Sequence, residues 1–183
     1  YKKSIYYYEK SIQINPNFLV AYSNLGNAYR SLEEYKKAIS CHEKAIQINP
    51  KYADAYNNLG IVFELLNEIE KANTCFEKAI KIDPNFAEAH NNQGLILLLK
   101  SNFKKGFDKY EWRKKISSDS FYKKTKPNTQ EWQGEDLTNK TILILAEQGV
   151  GDIIHFARYL YMLKDNYSTT IIFKIYNKRM AHL

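Results

Sequence analysis

Three carboxamides recur at a fixed interval in this chain: Asn24, Asn58 and Asn92, each 34 residues from the next. Asn57 and Asn91 precede the last two, and Ser23 precedes the first. A carboxamide both donates and accepts hydrogen bonds. A column of them can therefore grip the C=O and N–H groups of an extended polypeptide without reading its side chains. The alternative is that paired asparagines simply suit a solvated helix face. A second candidate lies downstream, in Glu147-Gln148-Gly149-Val150-Gly151-Asp152. A glycine-rich turn leading into a helix can receive an anion on free N–H groups, which makes Gln148, Gly149 and Gly151 a candidate anion or acceptor loop. Ile154 stands where the third glycine of a G-x-G-x-x-G run would fall, so a dinucleotide site has little support. His42, His90, His155 and His182 show no ligand spacing with one another or with Cys41 and Cys75, and no metal site is expected.

The asparagine interval belongs to a wider pattern. Ile14-Asn15-Pro16 recurs as Ile48-Asn49-Pro50 and Ile82-Asp83-Pro84. Leu25-Gly26 recurs as Leu59-Gly60, with Gly94 in the same phase, and Ala38 and Ala45 recur as Ala72 and Ala79. Tyr22, Leu25, Gly26 and Tyr29 fall at i, i+3, i+4 and i+7, one face of a helix. Ala38, His42 and Ala45 share one face of a second. Small residues permit close helix approach, and Pro50 and Pro84 end the second helix of each pair. A 34-residue period of this composition resembles the tetratricopeptide repeat. The resemblance implies a mainly α, helical solenoid whose stacked first helices line a concave face, where the asparagine column would lie. The expected organisation is half a repeat over 1–18, full repeats over 19–52 and 53–86, and a degenerate repeat over 87–116. In that last copy Gly106 and Arg113 replace the packing alanines, and Phe107, Tyr110 and Trp112 supply bulk.

The pattern breaks after Ile116. Residues 117–130 are polar and contain Lys126-Pro127-Asn128, which reads as a linker. Within 131–183, Thr141-Ile142-Leu143-Ile144-Leu145 reads as a buried strand. A helix is expected from Asp152, as its cap, to about Lys164, and a second strand over 169–176. This is the start of an α/β segment with a parallel βαβ unit. One βαβ unit does not complete a sheet, and the first residue is not Met, so the sequence reads as a piece of a longer protein.

Net charge is +7 with pI ≈ 9.2, and much of the excess lies between Lys100 and Lys126. A solvated helix face running into the linker accounts for this better than a phosphate-binding patch, so nucleic acid is not the expected partner. No apolar run approaches the roughly 18 residues of a membrane span, and Leu95–Leu99, the longest, is expected inside a core. Cys41 and Cys75 hold equivalent repeat positions, at least one helix spacing apart, and a disulfide needs Cα atoms within about 7 Å. Two free thiols and a reducing compartment, the cytoplasm, are expected.

The linked runs Tyr110-Glu111-Trp112-Arg113, Trp132-x-Gly134-Glu135-x-Leu137-x-x-Lys140, Glu147-Gln148-Gly149-x-Gly151-Asp152 and Phe156-Ala157-Arg158-Tyr159 resemble bacterial tetratricopeptide proteins fused to a glycosyltransferase-like domain. Those domains are similar to heptosyltransferases, of the two-lobed GT-B fold, whose Gly-Asp after the first strand supplies a proposed general base. The resemblance points to Asp152, which would take a proton from an acceptor hydroxyl. The array also resembles that of the O-linked N-acetylglucosamine transferases, whose groove carries an asparagine ladder in phase with Asn24, Asn58 and Asn92. The resemblance implies a nucleotide-sugar donor for a full-length parent and no cofactor held by these 183 residues, which lack the donor lobe. The expected function is an interaction scaffold for an extended peptide, coupled in the parent to glycosyl transfer. The alternative is a pure adaptor without enzymatic activity.

Overall fold

The computed structural model describes residues 2–116, 132, 134–146 and 150–175. It divides between Ser120 and Phe121 into two compact units. In the first, α1 (Lys2–Ile14) is followed by the antiparallel pairs α2 (Leu19–Ser31) with α3 (Tyr35–Ile48), α4 (Ala53–Leu65) with α5 (Ile69–Ile82), and α6 (Ala87–Leu99) with α7 (Phe103–Tyr110). A 3-10 helix, Glu111–Lys115, continues α7. The architecture is a mainly helical solenoid.

Each turn of the chain repeats in atomic detail. Between pairs, the side-chain oxygens of Asn15, Asn49 and Asp83 accept from the backbone N–H two residues on, at 3.0, 2.9 and 2.9 Å. The proline between them presets the turn and carries no donor of its own. Within pairs, Glu33, Asn67 and Ser101 take φ of 61°, 59° and 60°. The next N–H reaches back to Tyr29, Phe63 and Leu97, closing the six-to-one bond of a Schellman motif. None of the three is glycine, and only Asn67 is of a type that favours the left-handed region, so composition advertises at most that one.

The core of each pair is a ring lying on a glycine. A Cβ added to Gly26 would sit 2.6 Å from the His42 ring, and one added to Gly60 2.6 Å from the Phe76 ring. Ala38, Ala45, Ala72 and Ala79 are fully buried beside them. Phe76 packs with Ala72 and with Ile96 of the next pair, so the contact within one repeat also seats its neighbour. The third pair changes this arrangement. Gly94 and Gly106 face across it, and a Cβ on Gly94 would lie 2.7 Å from the Tyr110 backbone nitrogen. Backbone therefore meets backbone where the earlier pairs insert a ring. Leu95–Leu99 is not the core segment its composition suggests. Ile96 alone of the five is fully buried, while Leu95 and Leu99 are 40% and 67% exposed, because a helix turns its side chains through all directions and only one stripe can face the core.

The second unit holds β1 (Thr141–Ala146), α8 (Val150–Tyr167) and β2 (Thr170–Ile175), with β1 and β2 parallel and Thr141 opposite Thr170. α8 begins two residues before Asp152, which therefore occupies its first turn instead of capping it. The run before β1 forms a tight lead-in. Trp132 Nε1 donates to Glu135 O at 2.7 Å across Gly134, whose φ of +102° suits only glycine. Leu137 is buried, and Lys140 O accepts from Thr169 Oγ1 at 2.7 Å and Thr170 N at 3.0 Å. The expected linker, residues 117–130, and Gln148 and Gly149 lie outside the described residues.

His42 is fully buried, and neither ring nitrogen has a hydrogen-bond partner among the described residues. Burial, and then the Arg30 charge, lowers its pKa from 6.5 to about 4. The unfolded imidazole takes a proton near its ordinary value and the folded one only near the lowered value. Stability is thus fully present above the unfolded value and is lost as pH falls from there towards about 4, by on the order of 3 kcal/mol. His42→Phe reproduces the ring that Gly60 already accommodates. Urea unfolding at pH 7 and pH 5 should show the acid loss of stability shrinking in His42→Phe, with stability at pH 7 held or raised.

Candidate functional site

The repeat geometry brings the first helices into one layer. α2 touches α4, and α4 touches α6, in addition to each helix's own partner. Consecutive copies of one helix position therefore become neighbours across the stack. Asn24, Asn58 and Asn92 hold equivalent, half-buried positions on these three helices. Ser23 and Asn57, one residue earlier, are buried.

The amides are joined across the helices. Asn58 Nδ2 donates to Ser23 Oγ at 3.5 Å, and Asn92 Nδ2 donates to Asn57 Oδ1 at 3.0 Å. Each link runs 35 residues, one repeat plus one position, because adjacent helices present successive positions to each other. Asn57 thus sits between helices, while Asn58 and Asn92 keep an oxygen and a second N–H that have no partner among the described residues. Asn24 makes no side-chain hydrogen bond among them. The row ends at Asn91, whose Oδ1 is buried without a partner among the described residues, as is that of Asn27. Gln93 anchors α6 from behind, donating to Asn73 Oδ1 and Glu77 Oε1, each at 3.3 Å. Sequence periodicity identifies the column. It gives no sign of the one-position offset, of Asn27, or of the Gln93 anchor, which depend on helix rotation and spacing.

A second cluster closes the row at α6. The His90 ring stacks on Trp112 at 3.9 Å between centroids and 13° between planes. Lys115 Nζ lies 3.6 Å from the Trp112 ring centroid. His90 Nε2 faces Pro84 O at 3.0 Å, and Nδ1 faces Lys109 Nζ at 3.3 Å. With the proton on Nε2, Nδ1 accepts from the ammonium. Burial lowers the His90 pKa, and Lys109 and Lys115 lower it further. This is packing chemistry, the role its repeat position suggests.

The basic stretch is partly engaged. Lys100 pairs with Glu70, and Arg113 and Lys114 pair with Glu111. Cys41 and Cys75 are free, and burial raises both thiols to about 11, which leaves them protonated and poorly nucleophilic. Among the described residues no three His, Cys, Asp or Glu side chains converge to hold a metal ion, and no helix is long and apolar enough to cross a membrane. In the second unit Gly151 and Asp152 stand in the first turn of α8, after the carboxyl end of β1.

Family models described as tetratricopeptide repeat match residues 53–86, and residues 7–40 with 75–107, and one described as TPR repeat matches 26–67. The crystal structure of MamA is 34% identical over 61% of this chain and 69% of that one, with a TM-score of 0.53. The chain belongs to the tetratricopeptide repeat family. A second MamA crystal structure is 33% identical over 62% of this chain and 66% of its own, at a TM-score of 0.52. MamA from Desulfovibrio magneticus RS-1, at 24% identity and a TM-score of 0.55, covers 66% of this chain and shares the fold. No curated protein matches the chain. In this tetratricopeptide array the matched residues are those of the solenoid, and they take in the whole amide row.

Asn57→Ala removes the acceptor of a part-buried inter-helix bond from Asn92 Nδ2 and empties a buried position, at a cost of about 1–2 kcal/mol. Asn24→Ala, with no such bond, should change stability by under about 0.5 kcal/mol. Chemical denaturation of the two variants checks the difference.

Proposed function

We propose that the array is a protein-interaction scaffold that holds an extended polypeptide segment along the amide row of its first helices. The observation that carries this reading is the cross-linking of the row. Asn58 and Asn92 are already fixed by bonds to the preceding helix, so little side-chain entropy is lost when their remaining donor and acceptor meet a backbone. Backbone recognition admits many sequences. The engagement of Lys100, Lys109, Arg113 and Lys114 by neighbouring groups favours a protein over a nucleic acid as partner. Two unpaired thiols suit a reducing compartment such as the cytoplasm.

A second reading couples the array, in a longer parent, to glycosyl transfer from a nucleotide sugar, with Asp152 as general base beside Gln148, Gly149 and Gly151. The position of Asp152 favours it, since open α/β sheets bind ligands beyond the carboxyl ends of their strands. A parent that carries Asp152→Asn should lose transfer by 100-fold or more, the usual worth of a positioned base. Unchanged transfer removes Asp152 from that role, and a parent without transfer is an adaptor.

The test of peptide holding is the triple variant Asn24→Ala, Asn58→Ala, Asn92→Ala. At about 1 kcal/mol for each hydrogen bond lost, its affinity for a panel of unstructured peptides should fall at least tenfold by calorimetry. Equal affinity refutes the amide row as the gripping surface.

A further inference from the structure

The array repeats its joints as well as its residues. α6 sits on a face of the second pair to which α5 contributes Ile69, Asn73 and Glu77. Ile69 packs against the cluster of Ala72, Phe76 and Ile96, and Asn73 and Glu77 accept from Gln93. Beside them Asn57 of α4 accepts from Asn92. The equivalents 34 residues on are Phe103, Phe107 and Glu111, with Asn91 on α6. Ile69 and Asn73 are half-buried, as are Tyr35 and Ile39 in the first pair. Phe103 and Phe107 are instead 59% and 56% exposed. Asn91 Oδ1 is buried without a partner among the described residues, at the position where Asn57 has its donor.

A solenoid that ends at a pair turns a polar face outward there. This face does the opposite, because Phe107 stands where Asn73 stands one repeat earlier. Two rings at i and i+4 form one apolar strip on α7. The face thus continues the joint by which α6 is seated on α5, with its occupant still to be named. The residues that follow α7 do not supply it. In the register of α6, Pro127 falls where Gln93 does, mid-helix, and proline cannot continue the hydrogen-bond ladder. A second copy pressed face to face does not suffice either. The exposed parts of Phe103 and Phe107 come to roughly 250 Å², so two such faces bury far less than the ~1,200 Å² of a stable interface. The rim sets the charge of what remains. α7 and the 3-10 helix carry six basic residues against two acidic ones. Arg113 and Lys114 are paired with Glu111, while Lys104 and Lys105 form no ion pair among the described residues.

We propose that this face seats an acidic amphipathic helix of a partner protein, in the place that a fourth first helix would take. The proposal goes beyond the peptide-holding reading and does not depend on it, since Phe103 and Phe107 belong to a second helix. The partner helix lays a branched apolar stripe over the two rings, as Ile96 lies against Ile69 and Phe76. An amide or hydroxyl on it donates to Asn91, as Asn92 donates to Asn57. That bond relieves an acceptor that is otherwise out of water and unpaired. Its flanking Asp or Glu side chains meet the basic rim at Lys104.

The probe is a designed helical peptide of about 20 residues. It carries Asn, Leu and Ile at the spacing of Asn92, Gln93 and Ile96, by which α6 meets α4 and α5, with Ala and Glu elsewhere. One control replaces Glu by Lys, and another scatters the apolar residues around the helix. In calorimetry with the full 183-residue chain, the Glu peptide should bind at least tenfold more tightly than either control. Its preference over the Lys peptide should decline as salt rises. Phe103→Ser with Phe107→Asn, the latter being the residue type of Asn73, should weaken the Glu peptide at least tenfold. The unfolding temperature should hold, because both rings are already exposed. The Asn24, Asn58, Asn92 alanine variant should bind the Glu peptide unchanged. No binding of the Glu peptide, equal binding of the scattered control, or unchanged affinity in the double variant overturns the seat. Loss of Glu-peptide binding in the alanine variant also overturns it and moves the site to the amide row. Equal binding of the Glu and Lys peptides overturns the acidic partner.

Discussion

The contact on which the array depends is the approach of two helices across a glycine. At Gly26 and Gly60 the space that a Cβ would fill is taken by the His42 and Phe76 rings. That approach brings the second helix of each pair close, and Phe76 then reaches Ile96 of the next pair. Stacking follows from pairing because one side chain serves both contacts. Once pairs stack, α2, α4 and α6 must lie side by side, and residues 34 apart become neighbours in space.

The carboxamides are where this geometry turns into a surface. Asn57 and Ser23 accept hydrogen bonds between helices, and the Asn92 and Asn58 that supply those bonds remain half open. One residue type thus fixes the register of the stack and displays hydrogen-bonding groups along it. The arrangement limits how freely the row can change, since a substitution at a buried member strands a donor on its neighbour. It also holds the displayed groups in place, which is what backbone recognition requires.

The third pair shows the same fold reached by different means. Gly94 and Gly106 bring backbones together, and the stabilising ring contact moves outward to the His90–Trp112 stack, with Lys115 over Trp112. The 3-10 helix lets Trp112 turn back onto α6. Within the second unit, the Trp132 to Lys140 run has a structural use of its own. The Trp132 bond across Gly134, buried Leu137 and the Lys140 carbonyl lead the chain into the parallel pair. Conformational demands account for these motif residues before any chemistry is asked of them.

The sequence by itself determined the period, the helix pairs and the asparagine column. Those depend on local rules: proline and Asx residues at turns, small residues at close approaches, and apolar spacing at 3.6 residues per turn. It also determined that Thr141 onward is a strand and that a helix and second strand follow. It misjudged Leu95–Leu99, because a run of five leucine-like residues says nothing about which of them a helix turns outward. It placed the start of α8 at Asp152, two residues late, because a good capping residue can equally sit in the first turn. Only the tertiary structure decided that Asn57 is buried against a neighbouring helix while Asn58 stays half-exposed, that the donor and acceptor are offset by one position, and that Glu64 is half-buried with no ion pair among the described residues. The physical reason is that these properties depend on the rotation and separation of helices from different repeats. Those are set by the volumes of His42, Phe76 and Ile96 in the core, at a distance in sequence from the groups they position.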